Sequence, residues 1–150
     1  VISDDNNYYL RRDLYGNYAL AGTIFMDYRC SGDFDSFNTI IYGHNMNNGN
    51  MFGELSNFKD EEFFDKNKFA TIYSKDESYT LDFFAYMIVN ADDKIIFDIS
   101  ADPVRFFNYV KKSALNYREP DRDKNVVALS TCSSQSTEKR IVLLANIIKK

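Results

Sequence analysis

The chain of 150 residues has no tryptophan, one histidine and two cysteines. Any chemistry that needs an imidazole therefore has a single candidate, His44. Cys30 and Cys132 permit at most one disulfide in an oxidising compartment. No apolar run approaches the roughly 18–20 residues that cross a bilayer; the longest, residues 83–89, has the length of a strand. Basic charge is not in excess either. The formal net charge is −4, with both signs mixed along the chain, which argues against nucleic acid, whose binding needs a concentrated basic face. No glycine-rich phosphate loop, internal repeat, low-complexity tract or interdomain linker occurs. The acidic groups Asp60-Glu61-Glu62 and Asp92-Asp93 lack the ligand spacing of calcium or zinc sites and are read as solvated faces. No metal and no cofactor is expected.

What is present fits one domain spanning residues 1–150, long enough to bury a core of its own. The aromatic residues are all Tyr and Phe, a choice that suits β-rich structure. Residues 1–7 are polar and read as a frayed lead-in. Strands are expected over residues 19–28, with Ile24, Met26 and Tyr28 on one face, and over 39–44. Residues 69–73 and 79–89 read as a hairpin turned at 74–78. Residues 51–66 carry a helical apolar stripe broken by charge, which predicts a short helix or two joined by a kink. Asp102-Pro103 is a helix start, a capping Asp before Pro at the first helical position, and the apolar spacing carries that helix to about Leu115. Strands with two inserted helices, and no regular βαβ alternation, predict a mainly β fold, a closed or nearly closed β-barrel.

The most informative stretch is residues 126–148. Val126-Val127-Ala128-Leu129-Ser130-Thr131-Cys132 and Arg140-Ile141-Val142-Leu143-Leu144-Ala145-Asn146-Ile147-Ile148 flank a polar connection. Two buried strands pairing as a hairpin would set a thiol and a permanent cation at the mouth of one loop. His44 closes another strand, Thr39-Ile40-Ile41-Tyr42-Gly43-His44. A Cys on an apolar strand is ordinarily a small core residue. Here sulfur, imidazole and guanidinium all fall at strand ends, where a rigid sheet presents side chains to a cleft. Acyl transfer needs such a set: a nucleophile, a proton carrier and a cation for the oxyanion. A guanidinium stays protonated throughout, so Arg140 can favour the thiolate and donate to the developing oxyanion. Ser136-Thr137-Glu138-Lys139 matches the Ser-x-x-Lys of penicillin-binding enzymes, but it lies in a short connection without the partner motifs and is rejected.

Leu129-Ser130-Thr131-Cys132 with Arg140 eight positions on, and Tyr42-Gly43-His44 upstream, resembles the sortases, cysteine transpeptidases of Gram-positive bacteria that attach proteins to the cell wall. The run from Ala21 through Gly22-Thr23-Ile24-Phe25-Met26-Asp27-Tyr28 to Arg29, and Met51-Phe52-Gly53-Glu54-Leu55, are similar to class B members. The resemblance implies a sortase-like barrel lacking the family's first strand, with Cys132, His44 and Arg140 catalytic and Cys132 a free thiol. It implies that Tyr42, Ser130 and Thr131 line a peptide groove walled by residues 90–94 and the helix after Asp102. The implied partners are secreted proteins bearing an Asn-Pro-x-Thr-Asn-like sorting signal, cleaved after Thr, and an amine of a peptidoglycan precursor. The implied location is the extracellular face of the bacterial membrane, held by an N-terminal anchor outside this sequence. Two alternatives stand beside it: a thiol peptidase that only hydrolyses, and a catalytically silent peptide-binding barrel. Cys30, in a polar turn, is read as incidental.

Overall fold

The computed structural model describes residues 1–131 and 138–150; Cys132 and residues 133–137 lie outside the described residues. The strands, in chain order, are β1 (Phe25–Met26), β2 (Asn38–Gly43), β3 (Phe69–Tyr73), β4 (Ser78–Asn90), β5 (Asn116–Tyr117), β6 (Val126–Thr131) and β7 (Lys139–Lys149). They form one sheet in the order β1-β2-β6-β7-β4-β3, with β5 also paired to β4. Among the described residues the sheet does not close on itself, so the nearly closed form of the expected barrel is the one observed. Every pairing is antiparallel except β2 with β6, which run parallel.

β6 and β7 read as unbroken apolar runs because both faces of the sheet are covered. Val126, Ala128, Val142 and Leu144 face one cluster with Phe106, Phe107 and Val110. Val127, Leu143 and Ala145, one step out of phase, face a second cluster with Leu55, Phe58 and Phe64. Period-two alternation thus feeds two cores rather than a core and solvent. The register slips between Phe83 and Ala85, an irregularity in the long β4, and Phe83 and Phe84 are both buried, one in each cluster.

The helices follow their local signals. The first cluster is capped by α2 (Pro103–Ser113), whose N-terminus is closed by the Asp102 carboxylate accepting from Arg105 N at 2.9 Å. It stops at Ser113, two residues short of expectation, where Leu115 N instead donates to Tyr86 O and the chain joins β4. The expected 51–66 helix is indeed two: a 3₁₀ helix over Gly53–Lys59, then α1 (Glu61–Lys66). The break falls at Asp60, which is extended and caps α1 by accepting from Phe63 N at 2.8 Å. Arg118 ties α1 to β4, donating to Phe64 O at 2.6 Å and Phe83 O at 2.5 Å with its guanidinium over the Phe64 ring. Among the described residues no helix is long and apolar enough to cross a membrane.

Three expectations need correction. The 19–28 strand shrinks to β1, because the backbone turns at Gly22, which has a φ of +64° and no room for a Cβ against the Tyr9 carbonyl. The lead-in is tied down rather than frayed: Met26 N donates to Val1 O at 2.8 Å and Tyr28 N to Asn6 Oδ1 at 2.9 Å. Asp93 is not a solvated charge. It accepts from Ile95 N and Ile96 N and from the Tyr109 hydroxyl, locking the 91–101 connection onto α2.

Phe106 is fully buried between α2 and the sheet. Phe106→Ala should therefore cost about 3–5 kcal/mol, read as a lowered denaturant midpoint. Tyr15→Ala, at a side chain 89% exposed, should change stability by less than about 0.5 kcal/mol.

Candidate active site

The parallel ladder sets the site. Thr39 pairs with Val127, Tyr42 with Ser130 and Gly43 with Thr131. His44 follows Gly43 in sequence and Cys132 follows Thr131, so the strands that lead to the two residues end side by side at one edge of the sheet. β7 enters from the same edge, since Ser130 pairs with Val142 and Arg140 lies two residues before it. A hairpin of β6 and β7 is what the sequence predicted; the parallel partner β2 is what brings the histidine.

Gly43 is required at this edge for lack of space. A Cβ there would lie 2.5 Å from Phe52 Cδ2, because the Phe52 ring packs against the strand end. Phe52 N also donates to His44 O at 2.9 Å. The backbone at His44 is thus clamped between the ladder and the residues that lead into the 3₁₀ helix.

His44 and Arg140 line one cleft of about 550 Å³, together with Tyr42. Both are half-buried, and Arg140 Nη1 donates to Lys139 O at 3.0 Å. Among the described residues the cleft wall contains no carboxylate, while Arg11, Arg29 and Arg140 all contribute to it. In a chain of net charge −4 three guanidinium groups thus offer hydrogen-bond donors to one cleft, the kind of group an oxyanion needs. Of the expected walls, the connection after β4 contributes Ala91, whereas no residue of α2 lines the cleft. Ser130 and Thr131 are fully buried and do not line it. Thr131 Oγ1 accepts from Ile141 N at 3.2 Å, and Ser130 Oγ has no partner among the described residues. Their expected contact with a peptide has no support in this geometry. Cys132 lies outside the described residues, and no distance is assigned to it.

Sequence reasoning missed the floor of the cleft. Asp27 is fully buried and accepts from Arg29 Nε and Nη2, each at 2.9 Å, and from Arg29 N at 3.0 Å. The Tyr42 hydroxyl and Asn6 Nδ2 each donate to Asp27 Oδ2 at 2.9 Å. Burial pushes this carboxyl up, but the hydrogen bonds from Arg29 and Tyr42 and the guanidinium charge outweigh it, and the net shift is downward. A buried carboxylate stays ionised only with such partners. The signal was available: Asp27 interrupts Ile24-Phe25-Met26, and Arg29 stands two residues on. Asn6, in the polar lead-in, and Tyr9 and Leu10, just after it, also line the cleft; no motif in the sequence marks them. Cys30 is a free, buried thiol whose pKa burial pushes up, as befits a structural residue.

Comparison with known proteins places this geometry. The family model described as Sortase domain matches residues 7–148. Sortase B of Listeria monocytogenes is 33% identical over 156 residues, covering 99% of this chain. The chain spans 63% of that relative's length. A solved Staphylococcus aureus sortase B–substrate complex superposes with a TM-score of 0.89 at 28% identity, covering 99% of this chain and 72% of that one. A solved sortase B complexed with triglycine superposes with a TM-score of 0.88 at 26% identity, covering 99% and 73%.

The Asp27 hub has a pH signature. Its folded pKa lies below the ordinary 3.8, so the folded chain binds this proton more weakly than the unfolded chain. The stabilisation is complete above about pH 5 and is lost as pH falls below about 4 toward the folded value. The gap in unfolding free energy between wild type and Asp27→Asn should be level from about pH 5 to 8 and narrow below about pH 4. Denaturant titrations at each pH measure it; a gap that stays level down to about pH 2 would show that the ionised hub contributes nothing.

Proposed function

The chain belongs to the sortase family, on its class B branch, and from that premise we propose that it acts as a cysteine transpeptidase on a peptide sorting signal at the outer face of the bacterial membrane. The observation that carries the proposal is the convergence of His44 and Arg140 on one cleft beside the strand that leads to Cys132. Two solved relatives support a peptide ligand, one as a substrate complex and one complexed with triglycine.

The chemistry follows from the groups. Cys132 gives its proton to His44, Sγ attacks the Thr carbonyl carbon of an Asn-Pro-x-Thr-Asn-like signal, and the carbonyl π electrons move onto oxygen. Arg140 donates to that oxyanion; a guanidinium is suited to it because it keeps its proton at every step. Collapse of the intermediate breaks the Thr amide, and His44 gives a proton to the departing amine. A thioester remains on Cys132. An incoming amine of a peptidoglycan precursor then loses its proton to His44 and attacks the thioester; the C–S bond breaks and the departing Cys132 thiolate takes that proton back from His44. Water in place of the amine gives hydrolysis. Tyr42 forms part of the wall against which the peptide lies.

Mass spectrometry of the chain incubated with a sorting peptide should show an added acyl mass in wild type and none in Cys132→Ala. Arg140→Lys should lower the rate of adduct formation by about 100-fold or more, because an ammonium cannot reproduce the guanidinium fork at an oxyanion. Full adduct formation in Cys132→Ala would end the proposal. Adduct without transfer to triglycine would reduce it to a thiol peptidase. Peptide affinity with no adduct in wild type would favour a silent binding barrel.

A further inference from the structure

Arg29 lines the cleft with a side chain 39% exposed, yet it is held more firmly than a surface arginine. Nε and Nη2 grip the two oxygens of Asp27, and Nη2 also donates to Phe97 O at 3.0 Å. Phe97 is another lining residue, on the connection that Asn38 Nδ2 fastens through Ile96 O and Asp98 O at 2.7 and 3.1 Å. Two edges of the guanidinium are therefore used, and Nη1 has no hydrogen-bond partner among the described residues. The planar fork cannot turn to satisfy Nη1 without leaving Asp27. Asp27 also cancels most of the charge of Arg29, so what faces the cleft is a fixed donor and not a free cation. A fixed donor backed by a carboxylate matches a neutral amide oxygen better than a carboxylate, which would feel the negative charge behind it.

We propose that Arg29 is a substrate-binding residue, donating through Nη1 to a backbone carbonyl of the sorting peptide, and that Asp27 is the positioning residue that holds it there. The ligand named here rests on the transpeptidase reading; the donor geometry does not. Preorganisation is the physical gain, since the side chain loses its rotamer freedom on folding and not on binding. Asp27 also holds the Tyr42 hydroxyl and Asn6, so one buried carboxylate orders three residues of the peptide wall.

The test measures binding apart from chemistry. A fluorophore-labelled Asn-Pro-x-Thr-Asn peptide is titrated into the Cys132→Ala chain by anisotropy, alone and combined with Arg29→Lys, Asp27→Asn or both. Arg29→Lys should weaken binding by on the order of tenfold, the loss of one charge-assisted hydrogen bond. The double variant should bind no more weakly than the worse single one, because both remove the same contact. With Cys132 intact, Arg29→Lys should raise KM and leave kcat near wild type, a split that general loosening of the fold would not give. Unchanged affinity in Arg29→Lys, or strictly additive losses, overturns the proposal. A loss confined to a peptide with a free C-terminal carboxylate, absent from its amide, overturns it in favour of carboxylate recognition. Asp27→Asn that does not fold leaves Arg29→Lys to decide. A peptide that fails to bind the parent chain at all sinks the transpeptidase reading itself, an outcome distinct from each of these.

Discussion

The parallel hydrogen-bond ladder between β2 and β6 is the constraint on which the site depends. All other strand pairs are antiparallel and could be made by hairpins or short returns. A parallel pair needs a long crossover, and here more than eighty residues separate the two strands in sequence. In return their C-terminal ends leave the sheet together. That brings Gly43, with His44 after it, and Thr131 to one edge, and the antiparallel return of β7 adds Arg140 there. Burial on both faces fixes the register, because a slip of one residue would exchange the contents of the two cores. The strand ends that carry His44 and Arg140 are therefore held in place by the packing of Val, Leu and Ile far from them.

Around that edge the protein solves an electrostatic problem. A cleft suited to an oxyanion must gather positive charge without losing stability to repulsion. Arg11, Arg29 and Arg140 share the wall, and Asp27 lies beneath it, shielded from water and saturated with donors. The compensating carboxylate stands behind the wall, and among the described residues no carboxylate lines the cleft itself. The same carboxylate recruits Asn6 and so fastens the start of the chain to the cleft.

Much of this was legible in the chain itself. The apolar runs of β6 and β7, the Asp102-Pro103 helix start, the Asp60 break and the 69–90 hairpin are local signals, written in side-chain period, capping and turn chemistry. Positions of imidazole and guanidinium at strand ends could be read the same way, as could the resemblance to sortases. The overlong strand at 19–28 was a failure of the same method: propensity sees Ile, Phe and Met, not the steric demand at Gly22 that bends the chain against Tyr9.

The sequence by itself determined most of the strands and helices and carried the resemblance to the family whose model matches; it placed His44 and Arg140 at strand ends, where the structure has them. Only the tertiary structure decided that β2 and β6 are parallel partners, that the lead-in forms a wall of the cleft, that Ser130 and Thr131 are sealed in the sheet, and that Asp27 is a hub. The reason is range. Period, caps and turns act over a few residues, whereas a ladder across eighty residues or a carboxylate gathering donors 2, 15 and 21 positions away exists only once burial has chosen which faces meet.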